Sequence, residues 1–248
     1  MKSHGMHQCL IAGWLLLGCP LASNAQIMPS TPVVVELFTS QGCSSCPPAD
    51  ELLGELARRP NVVALAFHVD YWDSIGWRDP YSIPQSVVRQ RGYVDTLGLS
   101  SAFTPQVIID GRASFVGSDR RRIIAALDER GPTIQVTADV DQRVLTVTIT
   151  GSDPGTGADV NAVAFLPHAS TAVSRGENAG RRLTEYNIVR QLRRLGAWDG
   201  RTSIFRVPVE TFPADATRVA ILLQRPHQGP VIGSAVAVLR QATTAMAE

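Results

Sequence analysis

Apolar residues follow two different periods along this chain, and the period changes near its middle. In the first half, the runs Val33–Phe38 and Asn61–Val69 are apolar at nearly every position, which is typical of short buried strands. Between them, Pro47–Leu56 predicts a helix, because proline fits the first helical positions, where no backbone N–H is needed. A helix between two such strands predicts a parallel pair joined by a right-handed crossover.

Four more elements are predicted before residue 130. The polar turn signal Asp110-Gly111 separates two short apolar runs and predicts an antiparallel hairpin. Asp119 is placed to cap the helix that follows the hairpin. The predicted elements are a helix near Gln85–Leu97, strands Val107–Ile109 and Ala113–Val116, and a helix over Arg121–Arg130.

Beyond Gly131-Pro132 the apolar residues alternate with polar ones. Ile134–Val140 and Leu145–Ile149 alternate with period two around a turn at Asp141-Gln142, which predicts a hairpin. Further strands are predicted at Val160–Leu166, Ser203–Val209, Arg218–Gln224 and Val231–Leu239. We therefore expect a small all-β, sandwich-like domain over residues 131–240, followed by a flexible tail at 241–248.

The candidate chemistry lies in Cys43-Ser44-Ser45-Cys46, between the first strand and the first helix. Cysteines at this spacing can form a disulfide, bind a soft metal, or exchange electrons with the thiols of another protein. The partial positive charge at a helix N-terminus favours a thiolate. Cys43 is therefore the candidate nucleophile, and Cys46, one helical turn later and expected to be more buried, is the candidate resolving thiol.

Two longer strings, Glu36–Asp50 and Phe67–Asp73, resemble an uncharacterised family of exported bacterial proteins with a thioredoxin-like domain. The order of elements over residues 33–130, with the CxxC at the first strand–helix junction, also resembles the thioredoxin fold. The fold class implied is α/β, with a thioredoxin-like domain at residues 26–130 and the small all-β domain after it. The resemblance implies a fold and does not bring a demonstrated activity.

The resemblance also assigns roles to residues outside the CxxC. Thr104-Pro105 stands where the fold carries a cis-proline, so the backbone of Thr104 is expected to bind an extended substrate peptide by strand addition. Glu36 stands near the buried carboxylate of the thioredoxin pattern and is expected to take the proton of Cys46, or else to be a hydrogen-bonded structural residue. Trp72 belongs to a polar-aromatic stretch that either rims the substrate site or only covers the sheet edge.

His68 at the end of the second strand leaves a different chemistry open. With the thiolates of Cys43 and Cys46 it would form a site for a soft metal such as Cu(I). The simpler interpretation is a hydrogen-bonded structural histidine. The redox hypothesis needs no cofactor, and the alternative hypothesis needs copper.

The N-terminus predicts export. Residues 1–25 resemble a signal peptide, with an apolar core at Leu10–Gly18 and small residues before the cleavage point at Ala25. Leu16–Cys19 also resembles a lipoprotein box, so lipidation of Cys19 is the alternative. No later stretch is long and apolar enough to predict a transmembrane helix. The expected location is periplasmic or secreted, or anchored to the envelope through Cys19.

The charge balance and the cysteine content argue against two classes of function. The chain has 23 Lys and Arg against 22 Asp and Glu, which argues against nucleic acid as the main partner. Cleavage after Ala25 would leave Cys43 and Cys46 out of 4 cysteines, so the pair is not part of a disulfide scaffold. We expect a thiol–disulfide oxidoreductase or redox partner acting on protein thiols or disulfides in the envelope. The alternatives are a copper-binding protein and a non-catalytic interaction module with a structural disulfide.

Overall fold

The computed structural model describes Met1 and residues 31–129, 134–153, 155 and 157–239. Several expectations lie outside the described residues. They are the signal peptide apart from Met1, its cleavage point, the lipidation of Cys19, the boundary at Gly131-Pro132 and the tail at 241–248.

The first part of the chain forms four strands and three α-helices close to the predicted bounds. Asp119 caps the third helix, where its side chain accepts a hydrogen bond from the Arg122 N–H at 3.2 Å. The elements are β1 (Val33–Thr39), α1 (Pro47–Leu56), β2 (Val62–His68), α2 (Pro84–Thr96), β3 (Gln106–Ile109), β4 (Ala113–Val116) and α3 (Arg120–Ala126).

The second part forms strands, and the one predicted at Val160–Leu166 is much longer, running from Ala158 to Ala172. The expected hairpin is present, with Val136 paired to Ile149. The strands are β5 (Gln135–Asp141), β6 (Val144–Thr150), β7 (Ala158–Ala172), β8 (Arg182–Trp198), β9 (Ser203–Pro208), β10 (Arg218–Gln224) and β11 (Val231–Val238).

The expected fold class, a thioredoxin-like α/β domain followed by a small all-β domain, is wrong. Of the described residues, 44% lie in strands and 18% in helices. One mixed sheet of eight strands, in the order β11-β10-β7-β8-β2-β1-β3-β4, takes strands from both parts of the chain. The predicted parallel pairing of β1 with β2 is present, and β8 joins β2 where Ala66 is paired with Ile188. Strands β5, β6 and β9 form a separate sheet of three strands.

The apolar composition of β7 and β10 explains why the large sheet continues. Val160 and Ile221 pack in a core with the three-stranded sheet, whereas Val163 and Leu222 pack in a core with β1 and β2. Strands that are apolar on both faces must be covered on both faces. They therefore occupy the interior of a large sheet, and not one side of a small sandwich.

The two faces of β1 and β2 carry different layers. Val35 and Leu37 of β1 pack with the apolar residues of α1, whereas Val34 and Phe38 pack with Tyr93 of α2. Side chains alternate between the faces along a strand. The last residue of β2, His68, is therefore on the α1 face, and Glu36 is on the α2 face.

Candidate functional site

Cys43 and Cys46 form a disulfide, with their Cα atoms 5.4 Å apart. The Cys43 N–H donates to the Ser40 carbonyl and the Cys46 N–H donates to the Cys43 carbonyl, so two successive turns lead into α1. Cys46 is the N-cap residue of α1 and is followed by two prolines. The disulfide thus lies at the positive end of the helix, where a thiolate is stabilised on reduction.

Both cysteines are equally buried, although we expected Cys46 to be the more buried of the two. Each is 0% exposed, whereas Ser44 and Ser45 between them are exposed. The tip of the β7–β8 hairpin, residues 173–181, lies against the backbone of this loop, and we call it the cap. The side chain of Asn178 donates to the carbonyls of Gln41 at 2.9 Å and Cys43 at 3.0 Å. We therefore expect movement of the cap to control the access of reagents to the disulfide.

Glu177 and Gly176 hold the cap at two further points. The Ser44 N–H donates to Glu177 Oε2 at 3.2 Å. A Cβ atom on Gly176 would lie 3.1 Å from Cβ of Trp77, so the cap lies directly against the segment that follows β2. The cap therefore depends on a few polar contacts at its end and on close packing at one glycine.

Replacing Asn178 with alanine is expected to accelerate reduction of the disulfide by dithiothreitol about 30-fold. The variant loses two hydrogen bonds, each contributing about 1 kcal/mol to the closed cap, so the open cap becomes more populated. The rate can be followed by alkylation of the thiols released at fixed pH. Asn161→Ala, on β7 away from the cap, serves as the control and should keep the original rate. An unchanged rate in Asn178→Ala would show that the cap does not limit access.

Three of the predicted site residues gather beside the disulfide. Trp72 Nε1 donates to Thr104 Oγ1 at 2.8 Å, and a Cβ atom on Gly42 would lie 2.9 Å from Cβ of Trp72. The Thr104–Pro105 peptide is cis, as the resemblance implied. Pro105 lies close to the start of α1, because a Cβ atom on Gly117 would meet both the Pro105 and the Ala49 side chains within 2.9 Å. Trp72, Thr104 and Pro105 therefore form one side of the disulfide site.

Glu36 is not part of this site. It is buried on the α2 face, where Arg89 Nη2 donates to Glu36 Oε1 at 2.9 Å and the Arg89 Nε–H binds the second oxygen. The Tyr93 hydroxyl donates to the same Oε1 at 2.6 Å. Both oxygens are thus engaged by α2. The role of Glu36 as proton acceptor for Cys46 stays a prediction, and the contacts of the carboxylate are those of a structural residue.

A buried ionic cluster takes the place that we expected Glu36 to occupy. His68 Nδ1 lies 2.7 Å from Asp79 Oδ2, and the same oxygen accepts the Gln41 N–H at 2.8 Å. The Gln41 side chain donates to Glu185 Oε2 of β8 at 2.8 Å. Asp50 lies one helical turn after Cys46 in α1 and is 7% exposed. Among the described residues, neither Asp50 Oδ1 nor His68 Nε2 has a hydrogen-bond partner.

Burial and the charges of neighbouring groups shift the pKa values of the residues in this cluster. Burial raises the pKa of Asp50 to about 8, although the charge of His68 opposes the rise. Burial alone would lower the pKa of His68, but Asp79, Glu185 and Asp50 outweigh it and raise the pKa to about 9. Burial would raise the pKa of Asp79, but His68 and three hydrogen bonds hold it below its ordinary value. At neutral pH Asp50 is therefore mostly protonated beside an imidazolium.

His68 is engaged by Asp79, which is how a structural histidine behaves. In the described part of the chain, no group of three or more His, Cys, Asp or Glu side chains is arranged to hold a metal ion. The sulfur atoms of Cys43 and Cys46 are joined to each other. Nothing in this arrangement favours the copper site with Cys43, Cys46 and His68, which stays a prediction.

Sequence reasoning missed the polar residues around the disulfide. Asp50 could have been identified from the sequence, since a residue four positions after Cys46 lies on the same helix face. Asn178 and Glu185 could not have been identified in this way, because they reach the site from a hairpin more than a hundred residues later in the chain. Gln41 was treated only as part of a turn, yet it is 0% exposed and hydrogen-bonded to four partners.

A family model described as Protein of unknown function (DUF1223) matches residues 34–224. The chain belongs to this family. The match runs from β1 to β10 and includes the disulfide, the cap and the buried cluster. The prediction of an uncharacterised family is confirmed, whereas export stays a prediction. No curated protein matches the chain.

Two solved structures are similar to this DUF1223 chain. Protein AGR_C_4864 from Agrobacterium tumefaciens is 29% identical with a TM-score of 0.75, and the match covers 87% of this chain and 97% of that chain. HBP35 of Porphyromonas gingivalis is 16% identical with a TM-score of 0.56, and the match covers 88% of this chain and 78% of that chain. The second likeness shows the fold alone. Within the described residues, every helix is too short or too polar to span a bilayer.

Proposed function

We propose that the protein is a thiol–disulfide oxidoreductase, or the redox partner of one, that acts on protein thiols or disulfides in the cell envelope. The observation that carries this proposal is the Cys43–Cys46 disulfide at the N-terminus of α1. A helix N-terminus stabilises the thiolate that must attack or leave in exchange. Trp72, Thr104 and Pro105 supply an ordered wall on which a substrate segment can lie.

The exchange proceeds through a mixed disulfide. A substrate thiolate attacks Sγ of Cys43, the bond between Cys43 and Cys46 breaks, and Cys46 leaves as a thiolate. A second substrate thiolate then attacks the substrate sulfur of the mixed disulfide and releases Cys43. The substrate dithiol is oxidised and the protein is reduced by the same two electrons. The reverse sequence reduces a substrate disulfide.

Two further features support the proposal. The cap covers Cys43 through a few hydrogen bonds, so the disulfide is protected from small thiols and is opened by a partner that displaces the cap. The predicted signal peptide would place the protein where disulfides persist. The partner is therefore an envelope protein with a segment that reaches beneath the cap.

Trapping of the mixed disulfide tests this function directly. In Cys46→Ser the resolving thiol is absent, so Cys43 should accumulate substrates as covalent adducts that dithiothreitol releases. Cys43→Ser is the matched control and should capture far fewer. Equal capture by both variants would contradict the proposed order of attack.

The equilibrium reduction potential separates exchange from a structural disulfide. A value between about −120 and −270 mV would place the pair among exchanging oxidoreductases. A value below roughly −300 mV would mark a structural disulfide and favour the non-catalytic interaction module.

A further inference from the structure

Asp50 has the surroundings of a group that exchanges protons. It is buried, its Oδ1 has no partner among the described residues, and its backbone N–H donates to the carbonyl of Cys46 at 3.2 Å. A buried carboxyl without a full set of hydrogen bonds is costly to keep. Positions four apart on a helix lie on one face, so the carboxyl is on the same side of α1 as Cys46.

A groove connects Asp50 with the solvent. The space between α1 and β8 has a volume of about 390 Å³ and is lined by Pro47, Asp50, Glu51 and Tyr186, among others. Glu51 is exposed at its border. Protons can therefore enter and leave at Asp50 while the cap still covers Cys43.

The charges around Asp50 set the balance between its protonated and ionised forms. His68 of β2 carries an unpartnered Nε2 and attracts the carboxylate form, whereas Glu185 of β8 and Asp79 repel it. Thr39 at the end of β1 completes the surroundings, and its hydroxyl favours the carboxylate form of Asp50. These opposing effects leave a carboxyl that can change its charge near neutral pH.

We infer that Asp50 is the proton-exchange group of Cys46, with His68 as its charge partner and the groove between α1 and β8 as its path to solvent. This inference rests on the proposed exchange function. It transfers to Asp50 the role that the sequence suggested for Glu36.

The proton balances in both directions. When a substrate thiolate attacks Cys43, Cys46 leaves with the electron pair of the broken bond and takes the proton of neutral Asp50. In the reverse step, the Asp50 carboxylate takes the proton of the Cys46 thiol. The resulting thiolate attacks Cys43 in the mixed disulfide, and the substrate leaves as a thiolate.

The test compares Asp50→Asn with Glu51→Gln, a neighbouring carboxyl on the same groove. Reduction of the oxidised protein by a peptide dithiol is measured from pH 5 to 10, and the Cys46 thiolate is followed by its ultraviolet absorbance. In Asp50→Asn we expect the rate below pH 8 to fall about 100-fold and the inflection near that pH to disappear. Glu51→Gln should keep the original profile.

His68→Gln gives a second, independent measurement. Loss of the positive charge should move the inflection to higher pH, since the Asp50 carboxylate loses its attractive partner. An Asp50→Asn profile that matches the original would overturn the inference while the original protein still exchanged. If neither the original protein nor any variant exchanges with the peptide, the proposed function itself fails.

Discussion

Replacing Arg89 with methionine is expected to lower the free energy of unfolding by about 3–5 kcal/mol, since it leaves the Glu36 carboxylate buried without its cation. Arg89 is 2% exposed and binds both Glu36 oxygens, the Tyr93 hydroxyl at 2.9 Å and the Gln224 side chain at 3.2 Å. Gln224 belongs to β10, so this arginine ties α2 to strands from both parts of the chain. Urea denaturation of the oxidised protein, followed by tryptophan fluorescence, measures the loss.

Two further variants separate the charge effect from packing. Arg120→Met removes an ion pair with Glu55 whose two side chains are largely exposed, and it should change stability little. Glu36→Gln combined with Arg89→Met removes both buried charges and should recover part of the loss. A loss in Arg89→Met no larger than in Arg120→Met would show that the Glu36–Arg89 pair does not hold α2 against the sheet.

The sequence predicts local structure well where a pattern and a turn residue agree. β10 has the predicted bounds, and the β3–β4 hairpin turns at Asp110 and Gly111, which both adopt positive φ. What the local pattern does not contain is the partner of each strand. β2 and β8 pair in the sheet only because of tertiary packing. The hydrophobic pattern of each strand would fit equally well if the two strands belonged to separate domains. The double-faced apolar runs in β7 and β10 were the available signal that both lie inside one large sheet.

The site also has a part that local sequence predicts and a part that depends on the tertiary fold. Cys43, Cys46 and the helix that follows them form a contiguous motif, so their arrangement follows from short-range geometry. Asn178, by contrast, contacts the Cys43 carbonyl across 135 positions of sequence. Its recognition of two backbone carbonyls depends on the length of the β7–β8 hairpin, which no local pattern specifies. Burial of Cys43 is for this reason a property of the tertiary fold.

Asp50→Asn is expected to raise the free energy of unfolding at pH 7 by roughly 2–4 kcal/mol, although it removes the proposed proton-exchange group. Burial raises the pKa of Asp50 from 3.8 to about 8. Between these values the folded chain binds a proton that the unfolded chain releases, so stability falls as the pH rises through this window. Asparagine has the same shape and does not ionise, so the variant escapes this cost.

The pH dependence of stability distinguishes this effect from general stabilisation. In the original protein, His68 adds a second decline, because its stabilising contribution is complete below pH 6.5 and is lost as the pH rises through about 9. Asp50→Asn should flatten the curve between about pH 4 and 8 and keep a decline from His68, moved below pH 9 because the imidazolium loses one of its carboxylates, whereas Glu51→Gln should follow the original curve. Equal slopes for Asp50→Asn and the original protein would mean that Asp50 is ionised in the folded state. If Asp50→Asn stabilises the protein as expected, the Asp50 carboxyl weakens the fold in which it is buried. Such a result would indicate that the carboxyl is retained for its chemistry.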